Sequence, residues 1–124
     1  MEAIGNPGVH GPVLDVARMR ERLGEDEELI ADVIRLYLED YPMRMRAIGA
    51  AIRTRDAGRL RSEAHALKGS AGALSAARVA EAARVLETIG QAGDLGSAEQ
   101  RFAVLVAEAE QLAAVLRQLQ TDKS

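Results

Sequence analysis

Leu95, Ala98, Phe102, Leu105, Ala109, Leu112, Leu116 and Leu119 follow one another at spacings of three and four in unbroken alternation. An α-helix turns about 100° per residue, so this series lines one side of a single long helix and would scatter over both faces of a strand. A helix with one apolar side must bury it against something. Three other segments carry the same period: Ile30, Val33, Ile34, Tyr37 and Tyr41; Ala57, Leu60, Ala64, Leu67, Ala71 and Leu74; and Val79, Ala82, Ala83, Leu86 and Ile89. Only three residues are aromatic (Tyr37, Tyr41 and Phe102), and Ala, Leu, Val and Ile make up most of the apolar content. Small and unbranched apolar residues favour close helix packing over a sheet. The expected fold is all-α: an antiparallel up-down four-helix bundle with a short additional N-terminal helix carrying Val16, Met19 and Leu23.

Breakers and caps set the boundaries. Gly5, Pro7, Gly8, Gly11 and Pro12 mark residues 1–12 as a flexible lead-in. Residues 13–120 form the bundle, and 121–124 a flexible tail. Asp15, Asp26 and Asp56 stand where helix N-caps are needed, with Glu27 and Glu28 well placed in the first turn after Asp26. Gly24 is a plausible stop for the short first helix. Pro42 is expected to break or kink the helix before Met45, Ile48 and Ile52 resume the period. Ser75-Ala76 make a tight reversal. Gly90 to Gly96 read as a turn, after which either Asp94 or Ser97 caps the last helix; Ser97 with Gln100 matches a capping box.

Composition excludes several functions. The net charge is −3 and aromatic platforms are lacking, which argues against nucleic-acid binding. Without cysteine there are neither disulfides nor thiolate metal sites. The two histidines, His10 and His65, lie too far apart in kind and place to form a metal site. No apolar run approaches the ~20 residues that span a bilayer, and the N-terminus lacks a signal-peptide pattern. A cytoplasmic domain with no membrane association is expected, either free-standing or excised from a longer chain.

His65 is the candidate reactive group. It falls about 130° from the centre of the Leu60-Ala64-Leu67-Ala71 seam, so its imidazole faces solvent. Gly69 and Gly72 follow on the same face and leave the ring uncovered, although glycine inside a helix costs about 1 kcal/mol relative to alanine. A reversal near Ala76 sets position n opposite roughly 152 − n in an antiparallel pair, which brings Glu87 across from His65. A carboxylate there accepts one imidazole N–H, fixes the tautomer and leaves the other nitrogen's lone pair free. Lys68, one turn from His65, offers positive charge to an anion on the ring, and Arg61 and Arg84 add to the local field.

His65-Ala66-Leu67-Lys68-Gly69-Ser70-Ala71-Gly72 resembles the His-x-Leu-Lys-Gly-Ser-x-Gly signature of histidine-containing phosphotransfer (HPt) domains of bacterial multistep phosphorelays. Leu36-Tyr37-Leu38-Glu39-Asp40-Tyr41-Pro42 upstream is similar to the family's leucine- and acid-rich segment ending in proline. Asp56, Leu86-Glu87 and Gly93-Asp94-Leu95 also fall where the family has its counterparts. The resemblance spans about residues 14 to 118. Ser75 departs from it, since many members have glycine there, and Glu87 stands where glutamine is frequent in stand-alone members.

The resemblance implies a phosphoryl carrier. His65 would take the group from an aspartyl phosphate on one receiver domain, belonging to a response regulator or hybrid kinase, and pass it to the aspartate of another. Lys68 and Glu87 would assist, while Gly69, Gly72, Arg61 and Arg84 would meet the partner. No cofactor of its own is expected, Mg²⁺ being held by the receiver, and the domain is expected to be a monomer. Lys68-Gly69-Ser70 lies within a helix and is no phosphate-binding loop, so an ATP-dependent kinase is not expected. The alternative is a helical module that docks on a receiver without carrying phosphate. Such a module would need neither His65 nor Lys68.

Overall fold

The computed structural model describes residues 11–123, so most of the expected lead-in, including His10, lies outside the described residues. Five helices follow in order: α1 (Val16–Arg22), α2 (Glu27–Arg53), α3 (Ala57–Ala73), α4 (Ala77–Ala92) and α5 (Ala98–Lys123). Among the described residues there is no strand.

Aspartates start the first three. The side chain of Asp15 accepts from the Arg18 N–H at 3.0 Å, Asp26 from Leu29 at 3.1 Å and Asp56 from Arg59 at 3.0 Å. Each satisfies an orphan donor, and a cap of this kind contributes about 1 kcal/mol. The last helix takes Ser97 as its leading residue, whose carbonyl accepts from the Arg101 N–H at 3.2 Å. Asp94 instead closes a turn on the Gly96 N–H at 3.1 Å.

Helix α3 packs against α4 on one side and α2 on the other, and α5 packs against the same two. That closed ring of neighbours is the up-down-up-down bundle. The core is built from the expected stripes: Ile30, Ile34 and Tyr37; Leu60, Leu67 and Leu74; Val79 and Leu86; Leu105, Leu112 and Leu116. Complete burial of each such aliphatic side chain stabilises by about 1.5–3 kcal/mol. Helix α1 adds Met19 to this core. Its Arg20 pairs with Glu27 of α2, and the Arg22 guanidinium donates to the Gly72 carbonyl of α3 at 3.0 Å.

Three boundaries differ from expectation. Pro42 lies inside α2, which runs 27 residues without a break. Proline removes one backbone bond, but Tyr37 and Ile48 on either side of it are buried in one core, and that burial outweighs the local loss. Gly90 belongs to α4 rather than to a turn; the helix ends at Gly93, whose φ of 84° suits a left-handed cap. Helix α5 continues through 121–123, which were expected as tail.

The α3–α4 reversal is tight. The Ala76 N–H reaches back to the Ala71 carbonyl at 2.9 Å and the Ser75 N–H to that of Gly72 at 2.9 Å, with Ser75 at φ 60°. These paired bonds fix where α4 begins and thereby its register along α3.

Candidate functional site

The register brings three of the predicted residues together. His65 Nδ1 lies 2.7 Å from Glu87 Oε2, and Lys68 Nζ lies 2.7 Å from Glu87 Oε1. The two carboxylate oxygens are therefore divided between two partners. Lys68 first, and His65 second, hold the Glu87 carboxyl below its ordinary value, so it is ionised at neutral pH. An ionised carboxylate only accepts, which assigns the proton to Nδ1. In the neutral ring Nε2 then carries the free lone pair.

Exposure separates the roles. The His65 side chain is 67% exposed, whereas that of Glu87 is 16% exposed. The imidazole stands out from the bundle, and the carboxylate it meets sits at the α3–α4 seam. The sequence did not anticipate that the Lys68 ammonium pairs with Glu87.

An added side chain at Gly69 or Gly72 would have nothing within 4 Å of its first carbon. The space beside His65 is open, as the sequence implied. Arg61 and Arg84 are both exposed. Arg84 is held one turn back along α4 by Glu81, with contacts of 2.9 and 2.6 Å, which leaves its charge partly offset. Glu81 was not anticipated. Nor was the cluster on the α2 side of α3, where Arg44 bridges Asp40 at 3.0 Å and Glu63 at 2.9 Å. The spacing of four between Asp40 and Arg44 was the available signal for half of it.

Among the described residues no group of His, Asp and Glu is arranged to hold a metal ion. No described helix is long and apolar enough to cross a membrane. The arrangement offers an exposed nitrogen nucleophile, an oriented ring and an open approach.

Comparison with known proteins agrees with that chemistry. The Hpt domain family matches residues 32–121, and the chain belongs to this family. The chain is similar in structure to histidine-containing phosphotransfer protein B (HptB) from Pseudomonas aeruginosa PAO1. The TM-score is 0.84 at 23% identity, over 91% of this chain and 98% of that one. It is also similar to the HPT domain of an Hpt sensor hybrid histidine kinase from Shewanella. Here the TM-score is 0.80 at 14% identity, over 89% of this chain and 95% of that one. At these identities the two structures bear on the fold. No curated protein matches the chain by sequence. Membership of the family makes the chain a histidine phosphotransfer carrier of a phosphorelay, whose partners are receiver domains.

Proposed function

We propose that His65 is the residue that carries the phosphoryl group, on Nε2. The observation that carries this reading is the 2.7 Å contact between His65 Nδ1 and Glu87 on an otherwise exposed ring. With Nδ1 protonated, the Nε2 lone pair attacks the phosphorus of a receiver's aspartyl phosphate. The N–P bond forms as the P–O bond to the aspartyl carboxylate breaks, and the carboxylate leaves with the electron pair. No proton has to move. The phosphorylated ring is cationic, and Glu87 lies against its Nδ1–H to offset that charge. Transfer to a second receiver reverses the step on a new aspartate.

Positioning and charge neutralisation, rather than covalent help, dominate phosphoryl transfer. Glu87 orients the ring and Lys68 holds Glu87. Gly69 and Gly72 leave room for the receiver's loops, and Arg61 and Arg84 flank the approach. Mg²⁺ is supplied by the receiver. The domain acts as a monomer in the cytoplasm.

The test is incubation with a radiolabelled phosphorylated receiver. Wild-type protein should take up label that is acid-labile and alkali-stable, as a phosphoramidate is. His65→Gln should take up none, and undiminished labelling of that variant would overturn the assignment.

A further inference from the structure

Gly90 is buried where α4 crosses α3. A Cβ there would lie 2.7 Å from the Arg61 backbone nitrogen, 2.8 Å from the Ala57 carbonyl oxygen and 2.9 Å from the Arg61 Cα, against the 3.4 Å at which ordinary contact begins. All three atoms are backbone, so no side chain can swing aside. Only a glycine lets the two helices run this close. Gly69 and Gly72 differ in this respect, since nothing lies near them. Gly49, at the α2–α5 contact, meets only side-chain atoms, those of Phe102 at 3.3 Å being nearest.

The position of this contact gives it a consequence. Arg61 lies one turn before His65 on α3, and Gly90 lies one turn after Glu87 on α4. The backbone contact and the imidazole–carboxylate contact are thus adjacent rungs of one antiparallel pair. Glu87 reaches His65 at 2.7 Å while its other oxygen is held by Lys68, also of α3, at 2.7 Å. Both bonds span the same gap, and both tie the Glu87 carboxylate of α4 to α3.

We infer that Gly90 is a positioning residue for the phosphotransfer site, setting the α3–α4 spacing at which Glu87 can hold the His65 ring. It touches neither the ring nor the phosphoryl group and acts through the distance between two helices. The consequence for transfer rests on His65 being the phosphoryl acceptor. The consequence for the ring does not.

The experiment is ¹⁵N NMR of the His65 imidazole in three variants, with phosphoryl uptake from a labelled receiver measured beside it. Wild-type protein should show Nδ1 protonated and Nε2 bare, since the bond to Glu87 selects that tautomer. Gly90→Ala should lose this signature and slow phosphoryl uptake by about tenfold or more, because displacement of a reacting group by a fraction of an ångström is enough for such a loss. Gly49→Ala makes the same substitution at a different interhelical contact and should keep the signature, whatever it does to stability. Glu87→Asp withdraws the carboxylate by one methylene without touching the helix contact, and should reproduce the loss. Retention of the wild-type signature in Gly90→Ala overturns the inference, as does its loss in Gly49→Ala. If Gly90→Ala does not fold, Glu87→Asp decides: a retained signature shows that the gap has slack and overturns the inference, whereas a lost one supports it. A wild-type protein that takes up no label, with the ring signature still dependent on Gly90, would remove the assignment of His65 and leave the positioning role standing.

Discussion

Arg78 of α4 and Glu108 of α5 meet inside the bundle as a two-pronged ion pair, with Nε to Oε1 at 2.9 Å and Nη2 to Oε2 at 3.2 Å. Their side chains are 10% and 2% exposed. Arg78 also donates to the Gly11 carbonyl at 3.4 Å, which ties the segment before α1 to α4. A pair taken this far out of water gains little over an apolar pair of similar size, but losing Arg78 takes the two-pronged contact away from a buried carboxylate. Arg78→Met should therefore lower the unfolding free energy by about 3 kcal/mol. The double variant Arg78→Met, Glu108→Met should recover most of that loss. Urea unfolding of both variants measures it, and equal losses in the single and double variants would contradict the account.

Neither member of that pair was legible as a core residue, because each directly precedes a stripe position: Arg78 before Val79, and Glu108 before Ala109. Periodicity reads the seam and assigns charges beside it to the surface. Pairing across two helices is a tertiary fact that no single helix's pattern contains. What could be read was local or followed from one reversal. Asp15, Asp26 and Asp56 announced three helix starts, and the turn at Ala76 set the register that brings Glu87 to His65. Pro42 and Gly90 misled for a common reason. Both are breakers by intrinsic preference, and both are retained inside helices by what packs around them.

Ser75 occupies a left-handed conformation, with φ 60°, at the end of α3. For a residue with a side chain this region costs roughly 1–2 kcal/mol, and glycine adopts it freely. The Ser75 hydroxyl recovers little, its contact with Arg22 being 3.5 Å long. Ser75→Gly should raise stability by about 1 kcal/mol. The urea midpoint should increase at unchanged slope, with phosphotransfer unaffected. A lower midpoint would mean that the hydroxyl matters more to the turn than the backbone conformation does.

Gly69→Leu should leave the bundle folded, since open space surrounds the position and leucine is the better helix former by up to about 1 kcal/mol. The added bulk stands one turn from His65. Phosphorylation by a receiver should slow by about tenfold or more, as expected when reacting groups are held off their productive geometry. A small-molecule phosphoryl donor, which needs no docking surface, should still modify His65 at close to the wild-type rate. Equal slowing with both donors would place the defect in the imidazole rather than in docking.

Acid should weaken the fold through Glu87. Its carboxyl is held below the ordinary 4.5 by Lys68 and then by His65, so its paired form stabilises the folded state above that value. The contribution falls away as pH drops through the depressed value, because the folded state must then take up a proton it otherwise excludes. Urea midpoints of wild-type and Glu87→Gln protein should therefore converge as pH is lowered from 5 toward 3. A gap between them that stays constant over this window would show that the pairing adds no pH-dependent stability.

Lys68 and Glu87 should behave as one unit in transfer. Glu87→Gln keeps an oxygen able to accept the Nδ1–H, so it should retain much of the rate, whereas Glu87→Ala frees the ring and should lose about tenfold, a barrier change of about 1.4 kcal/mol. Lys68 touches the carboxylate at 2.7 Å, so Lys68→Met should slow transfer by letting Glu87 swing away from the ring. In a Glu87→Ala background there is no carboxylate left to hold, and Lys68→Met should then have little further effect. Such non-additivity marks residues that act through one another. If Lys68 instead meets the phosphoryl group directly, its loss should slow transfer by the same factor in both backgrounds. Phosphorylation rates of the two single variants and the double variant, at matched receiver concentration, distinguish a lysine that orients the carboxylate from one that stabilises the transferring group.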